Sequence, residues 1–318
     1  MVPLARILPE PPSVLPPPPD WARPAGSRES LEDATFFAGA ALAALHPAAR
    51  SAHPLAKLWR QRLALACAEA CVRLQGRAED AATLRDHLYL TRPGDDPGPA
   101  GRVLQAWRAL ATTPPFGPPP PPDADWPAAL AGLLSLSLDE AMLEAFDAAA
   151  ALSVGQKNPV DAAAEAAATA LRLRPDCRPL ALWLADAVLA RRLGWPAPVP
   201  LLAAHLKREA FRHAIGPQAD AAPWRIACAA TYGRAAMAAF DLHADLARRA
   251  GRLLGVAPRL RGRDAGETVL KLLTEDASPA GPGRAASDRS MRRLFERLVE
   301  LGAVRELTGR PAFRLYGL

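Results

Sequence analysis

Cysteine is scarce in this sequence of 318 residues, and the four present are too few and too scattered for a disulfide framework in a chain of this length. Cys67 and Cys71 are spaced i, i+4 in an alanine-rich stretch, whereas a zinc knuckle uses a paired CxxC motif. The sequence therefore predicts that its cysteines are small buried residues within helices and that they bind no structural metal.

Long hydrophobic runs are also missing. The longest uncharged apolar stretches, residues 34–45 and 126–138, are shorter than the roughly 20 residues that a membrane-spanning helix needs. The first residues, Met1-Val2-Pro3-Leu4-Ala5-Arg6, lack the apolar segment of a secretory signal. These absences predict a protein without a membrane span and with a cytoplasmic location.

The known sequence signatures of catalysis are absent. The chain contains no glycine-rich phosphate loop followed by Lys and Ser or Thr, no GxGxxG after a strand, no HExxH and no paired CxxC. Glu209 and His213 could share a metal on one helix face, but such a pair is more often solvated. Glu140, Glu144 and Asp147 similarly fit a solvated acidic stripe better than an acid–base site. We therefore predict no cofactor, no metal and no catalytic residue, while an enzyme site built from distant residues stays an open alternative.

Proline divides the chain. Residues 1–29 form a proline-rich arm, expected to be extended and to lie outside the core, and residues 114–125 form a second proline-rich linker or loop. Between and after them we expect a helical subdomain (30–113), a helical body (126–255) and a C-terminal module (256–318). Half of the residues are hydrophobic, which is enough to bury a substantial core.

Alanine-rich segments with helix-start and helix-stop residues predict a mainly α fold, an alanine-rich helical bundle with no strand before residue 304. Ser30 and Asn158 fit helix starts, Ser137 fits a capping box with Glu140, and Gly233 could break a long helix. The predicted helices are 33–45, 54–74, 79–90, 100–111, one starting near 137–140, 160–173, 180–193, 199–213 and 222–254. Trp59, Trp107 and Trp183 are expected in the core.

The loop Gly94-Asp95-Asp96-Pro97-Gly98-Pro99 holds two adjacent carboxylates between glycines and prolines. It could be a fixed binding feature. A plain turn that caps the next helix is the interpretation we favour, because Asp accepts hydrogen bonds from backbone N–H groups at such positions.

The C-terminal segment carries the strongest functional signal. Ser287 and Asp288 predict a helix that begins near residue 288 and ends at Gly302, followed by strands at 304–307 and 313–316. The turn Thr308-Gly309-Arg310-Pro311-Ala312 has hairpin length. One face of the helix is apolar; its members are Met291, Leu294, Phe295, Leu298, Val299 and Leu301. A helix that leads directly into a short β-hairpin predicts a C-terminal winged helix-turn-helix.

The other parts of that module are less clear in the sequence. Residues 266–274 fit a first helix with Val269, Leu270, Leu272 and Leu273 facing inward. A supporting second helix would fall between Glu275 and Ser287, where two prolines and two glycines predict that it is short or absent.

Positive charge is concentrated in the same region. Residues 248–318 contain 15 of the 39 Lys and Arg and 8 of the 33 Asp and Glu, a balance of +7, which leaves 24 minus 25, or −1, for residues 1–247. Residues 248–263 hold six arginines and no carboxylate: Arg248, Arg249, Arg252, Arg259, Arg261 and Arg263. The chain has 35 Arg but only 4 Lys, as proteins of GC-rich genomes do. The abundance of arginine is therefore weak evidence for contact with DNA, and its clustering is stronger evidence.

We therefore predict a DNA-binding or transcription- or replication-associated regulatory protein whose partner is double-stranded DNA. Arg289, Arg292 and Arg293 would reach a groove, and Arg297, Arg305, Arg310 and Arg314 would hold phosphates. The alternative is a non-catalytic helical protein-interaction protein, or a degenerate enzyme relative, whose winged helix packs on the body. In that case the proline-rich segments would engage a protein partner.

Three stretches carry a resemblance to a known family: GDDPGPAGRVLQAWR, PLALWLADAVLARRLGWP and DRSMRRLFERLVELGAVRELTGRPAFRLYGL. Together they resemble the bacterial domain-of-unknown-function family 1403 over nearly the whole chain, a resemblance that implies no activity. The tail LVELGAVRELTGRPAFRLY is also similar to the winged-helix tail of Fic-type AMP-transferases. Their catalytic histidine and Gly-Asn-Gly-Arg loop are missing, because neither His46-Pro47 nor His53-Pro54 precedes a glycine-rich anion loop.

Overall fold

A computed structural model of the chain describes residues 8–23, 30–92, 94–116, 125–217, 219–260, 265–279, 288–309 and 313–318. The described part is mainly helical, as the composition predicted. Its helices are α1 (Leu31–Ala49), α2 (Leu55–Leu74), α3 (Ala81–Tyr89), α4 (Gly98–Leu110), α5 (Trp126–Leu134), α6 (Glu140–Val154), α7 (Pro159–Leu173), α8 (Arg178–Arg192), α9 (Leu202–His205), α10 (Phe211–Ala214), α11 (Ala221–Val256), α12 (Ala265–Thr274) and α13 (Asp288–Glu300). Three short strands follow α12: β1 (Ser278–Pro279), β2 (Arg305–Glu306) and β3 (Leu315–Gly317).

Polar side chains start several helices by accepting hydrogen bonds from free backbone N–H groups. Ser30 and Asn158 cap α1 and α7, as predicted. At α6 the predicted cap, Ser137, is wrong: the carboxylate of Asp139 accepts from the N–H of Met142 at 3.0 Å. An aspartate placed directly before the helix satisfies this donor, so the serine two residues earlier lies outside the cap.

The longest helix, α11, has 36 residues and extends for about 54 Å. It is unbroken at Gly233, and α1 packs along it. A Cβ atom at Gly233 would lie 3.5 Å from the backbone nitrogen of Ala38. This glycine therefore lets two helix backbones approach closely and does not end the helix. No helix in the described ranges combines the length and apolar character needed to cross a membrane.

The predicted core tryptophans are buried, and two of them also donate hydrogen bonds between helices. The indole N–H of Trp59 donates to the carbonyl of Ala239 at 2.9 Å, and that of Trp183 donates to the carbonyl of Ala106 at 3.0 Å. Trp107 is fully buried. All four cysteines are buried free thiols, and burial raises the pKa of Cys177 to about 11. The predicted burial of both residue types is confirmed, although Cys177 lies directly before α8 and not within a helix.

The predicted helix 199–213 is wrong. The segment forms two short helices, α9 and α10, with a 3-10 turn between them. A buried carboxylate from α8 decides where α9 starts, because Asp186 accepts hydrogen bonds from the N–H groups of Leu201 at 2.7 Å and Leu202 at 3.2 Å. Asp186 also accepts from the hydroxyl of Tyr232 at 3.1 Å. Local sequence patterns do not predict a helix cap that lies 15 residues earlier in the chain.

Most residues of the N-terminal arm within 8–23 are exposed, as expected of a segment outside the core, but the arm is not detached from the body. This segment packs on the body, with Pro18 and Ala22 buried. Arg23 forms a two-point ion pair with Asp241 of α11, with N–O distances of 2.9 and 3.0 Å. Proline rings carry apolar surface, and an extended proline segment can bury it against neighbouring helices.

The acidic loop before α4 is a turn and helix cap, as favoured. The carboxylate of Asp96 accepts from the N–H of Gly98 at 2.9 Å and pairs with Arg102 at 2.5 Å.

Of the second proline-rich segment, residues 117–124 lie outside the described ranges. The division into subdomain, body and module stays a prediction.

Candidate nucleic-acid interface

The C-terminal module contains a three-stranded antiparallel sheet in the order β1-β3-β2. The prediction of a two-stranded hairpin with no earlier strand is therefore wrong, because Ser278 pairs with Tyr316 and Pro279 with Leu315. A two-residue strand that contains proline gives no alternating pattern. Its pairing with β3 comes from the tertiary structure.

The two faces of this sheet contact different parts of the protein, since successive residues of a strand point to opposite faces. The ring of Tyr316 stacks on Phe295 of α13, with centroids 4.6 Å apart. On the other face, a Cβ atom at Gly317 would lie 2.7 Å from the carbonyl oxygen of Asp276 and 3.0 Å from the guanidinium of Arg62 on α2. The sheet thus lies between α13 and the body, so the module is docked on the body.

Helix α13 begins at Asp288, as predicted, and Gly302 with φ of +62° follows its end. Phe295 and Leu298 are fully buried against the sheet. Val299 was placed on the apolar face, but 42% of its surface is exposed. The predicted N-cap Ser287 lies outside the described residues.

Three of the predicted arginines of α13 have described side chains, and all three are exposed: Arg292, Arg293 and Arg297. Arg297 forms a surface ion pair with Glu300 at 3.0 Å. Such pairs contribute only about 0–1 kcal/mol, so Arg297 can exchange its partner for another anion at low cost. The side chain of Arg289 is outside the described part of the structure.

The predicted arginines of the hairpin lie in different settings. Arg305 pairs across the sheet with Gly317, so both face the body, although Arg305 is exposed. Arg314 is 3.7 Å from Glu306. A hydrogen bond to Tyr316 and the charge of Glu306 raise the pKa of Arg314. Arg310 and most of the predicted turn lie outside the described residues, while Gly309 has the positive φ of +61° expected of it.

A buried ionic cluster fastens the module to the body. The carboxylate of Asp276, which follows α12, is 2.7 Å from the guanidinium of Arg85 on α3 and also pairs with Arg62 on α2. Arg62 further donates to the backbone oxygen of Leu318 at 3.1 Å. Burial lowers the pKa of Arg62, and the charge of Asp276 opposes that effect.

A second, half-buried pair lies beside it. Glu275 accepts from Lys57 and from Arg108, each at 2.9 Å. Although burial raises the pKa of Glu275, the hydrogen bond and charge of Lys57 and the charge of Arg108 leave it below its ordinary value. Gln61 bridges to the same segment, donating to the carbonyl of Thr274 at 3.1 Å and accepting from the N–H of Asp276 at 3.0 Å.

Sequence reasoning missed these fastening residues. Residues 275–287 were interpreted only as the place where a second helix is short or absent, and residues 280–287 lie outside the described ranges. The only feature of the sequence that could have pointed to them was the adjacent pair Glu275-Asp276, which directly follows a helix of strong apolar periodicity. Their partners on α2, α3 and α4 lie about 190 or more residues away in most cases, so the sequence could not reveal them.

Gly317 gives a direct test of this docking. The Gly317→Ala variant is expected to lose about 1–3 kcal/mol of unfolding free energy, since the added methyl group would collide with the backbone oxygen of Asp276. Urea denaturation measures the change. Gly251→Ala is the matched control, because a Cβ there meets no atom within 4 Å and alanine favours the helix. Equal stability of both variants would contradict the close packing of β3 on the body.

The alternative metal and acid–base sites find no support in the described residues. Glu209 lies in the 3-10 turn and His213 in α10, so they do not share one helix. No group of three or more His, Cys, Asp and Glu in the described part is arranged to hold a metal. The stripe of Glu140, Glu144 and Asp147 is exposed.

A cleft of about 580 Å³ lies between α7 and the start of α11. Its carboxylates from α7 are paired with cations, Asp161 with Arg225 and Glu165 with Lys157. Trp224 contributes an apolar part of the wall. Since these carboxylates are held by cations on the rim, the cleft presents no pair of acids poised for proton transfer.

The fold and this interface define a mainly helical protein with a basic, sheet-backed C-terminal helix. The family described as protein of unknown function (DUF1403) matches residues 11–318, and the chain belongs to that family. No curated protein matches the chain. The family match gives no support to the likeness between the tail and Fic-type AMP-transferases.

Proposed function

We propose that this protein binds double-stranded DNA through its C-terminal module, as a regulatory protein of transcription or replication. In this proposal the module is a winged helix in which α13 enters a groove and the β2–β3 hairpin forms the wing. The chain order of α12, β1, α13, β2 and β3, with the first strand paired to the last, supports a winged-helix interpretation.

The observation that carries the proposal is the two-sided character of α13. Phe295 and Leu298 hold one side of the helix on the sheet. The exposed remainder of the helix presents Arg292, Arg293 and Arg297 to solvent together with Glu296 and Glu300. The sheet is itself anchored on α2 through the buried Asp276 cluster. A rigid scaffold behind an exposed arginine row is what groove binding needs, because phosphate and base contacts require fixed positions.

The charge of the C-terminal region is consistent with this role. Residues 248–318, which comprise the end of α11 and the module, carry +7, whereas the rest of the chain carries −1. This region therefore attracts a polyanion more strongly than the rest of the chain, and the protein would meet DNA with its C-terminal side.

The test is binding of the full chain to a mixed pool of duplex DNA fragments at two salt concentrations. We expect binding at low salt that weakens steeply as salt rises, because bound arginines release counterions from DNA. Changing Arg293 and Arg297 together to alanine should reduce the slope of log affinity against log salt by about one, because the phosphate contact of Arg297 is lost, and should weaken binding further because the groove contact of Arg293 is lost.

The matched control changes Arg172 and Arg212, two exposed arginines near the start of α11, to alanine. The module lies near the other end of that helix, so the control removes the same charge at a distance. Its DNA affinity should stay near that of the wild type. Absence of binding at low salt, or equal losses in both double variants, would refute the proposal.

A non-catalytic protein-interaction role is the second candidate, and one surface favours it. Trp21 of the N-terminal arm stacks on Phe36 of α1, and each has 60% of its surface exposed. Exposed aromatic pairs are frequent at protein interfaces. The DNA experiment separates the two functions, since this role predicts no salt-sensitive binding and no effect of Arg293 or Arg297.

A further inference from the structure

We term the seam the charged region formed by Arg305 of β2, the Asp276 cluster and the C-terminal end of α11, whose Arg249 and Asp245 act electrostatically on Arg305. Among its described side chains, arginines outnumber carboxylates. Arg62 and Arg85 are both paired with Asp276, and Arg248 and Arg249 share Asp245. Arg305 of β2 lies within ion-pair distance of no carboxylate among the described side chains. Among the described side chains, the seam thus holds five guanidinium groups and two carboxylates.

The sheet register explains why Arg305 belongs to this cluster. Arg305 is the cross-strand partner of Gly317, and the Cβ direction of Gly317 points at Arg62 and at the backbone of Asp276. Cross-strand partners share a face, so the side chain of Arg305 extends toward the body. The excess charge is therefore held in place by the docking of the sheet on α2.

The electrostatic environment agrees with this geometry. Partial burial, followed by repulsion from Arg249 and Arg85, lowers the pKa of Arg305, although Asp245 and Asp276 act in the opposite direction. Arg62 experiences repulsion from the same arginines and from Arg305. Like charges crowded at a partly buried position raise the free energy of the site, and an anion placed between them would lower it.

We infer that the seam is a phosphate-binding site in which Arg305 of the module and Arg249 of the body hold the anion from two sides. Guanidinium groups bind phosphate oxygens through paired hydrogen bonds, which makes arginine well suited to such a site. The phosphate group could belong to a DNA backbone or be free in solution. If it belongs to DNA, the body contributes to the nucleic-acid interface, and this part of the inference rests on the proposed function.

Isothermal titration of the full chain with inorganic phosphate tests the site at constant ionic strength set with chloride. Arg305→Ala is expected to weaken phosphate binding about tenfold or more, because a charge-assisted contact is lost. Asp245→Asn is expected to tighten it, because a competing carboxylate is removed from Arg249. Arg297→Ala, an exposed arginine on α13, is the control and should leave phosphate affinity unchanged.

The same variants are then titrated with duplex DNA. Weaker binding by Arg305→Ala and tighter binding by Asp245→Asn in both titrations would place a DNA phosphate at the seam. The same response to free phosphate alone identifies a site for a small phosphate anion, and it would stand even if the wild type bound no DNA. The same response to DNA alone identifies a site specific to the phosphodiester backbone. Wild-type binding of neither anion, or no opposite response of these two variants in either titration, would overturn the inference.

Discussion

The Asp276→Asn variant is expected to lose about 3–5 kcal/mol of unfolding free energy, the cost of leaving buried charges without their counter-ion. Asp276 is 3% exposed and is the only described carboxylate paired with Arg62 and Arg85. Asparagine keeps the size of the side chain and removes only its charge. Urea denaturation measures the loss, and hydrogen exchange shows whether residues 265–318 open before the helical body.

Asp245→Asn is the matched control for this variant. Asp245 also pairs with two arginines, Arg248 and Arg249, but its side chain is 35% exposed. Surface pairs contribute about 0–1 kcal/mol, so this variant should unfold near the wild-type urea concentration. Similar losses in Asp245→Asn and Asp276→Asn would contradict the role of burial at the seam.

The wild-type protein is expected to lose stability relative to Asp186→Asn as pH rises from about 4 to 8. Burial raises the pKa of Asp186 to about 7, even though hydrogen bonds from Leu201, Leu202 and Tyr232 act to lower it. The stability that its protonated form contributes is fully present below the unfolded pKa, near 3.8, and is lost as pH rises through about 7. At 1.36 kcal/mol per pKa unit, the full difference is about 4 kcal/mol.

Urea midpoints of both proteins at several pH values between 4 and 8 measure this effect. An asparagine side chain at position 186 would imitate the protonated carboxyl, because its oxygen can accept from Leu201 and its amide can donate to the Tyr232 oxygen. His205 and His243, whose pKa values burial lowers, titrate in both proteins and cancel in the difference. Burial also raises the pKa of Cys67 and Tyr232 nearby, so both stay neutral over this range. A difference that does not change with pH would contradict the raised pKa of Asp186.

Local signals in the sequence were sufficient for most helices. Ser30 and Asn158 marked helix starts, and the apolar spacing around Phe295 and Leu298 marked the buried side of α13. Two of the errors fell where a distant residue decides the outcome. Asp186 starts α9 from another helix, and the pairing of β1 depends on β3, nearly 40 residues later.

At the candidate site, too, some features could be predicted from local sequence and others depended on distant residues. The exposure of Arg293 and Arg297 followed from their spacing on an amphipathic helix. The orientation of Arg305 did not, because it depends on which face of a three-stranded sheet contacts α2. The clustering of arginines in residues 248–263 was visible in the sequence, but the electrostatic effect of Arg249 on Arg305 was not.

By itself, the sequence determined the helical class of this protein, the caps of helices such as α1 and α7 and the amphipathic character of its last helix, because these depend on residues within a few positions of one another. The tertiary structure alone decided how the module sits on the body and which arginines share a carboxylate. Those features depend on contacts such as Asp276 with Arg62 and Arg85, which join residues about 200 positions apart. The energy of a buried ion pair is set by its surroundings in space, and no local pattern of residues encodes those surroundings.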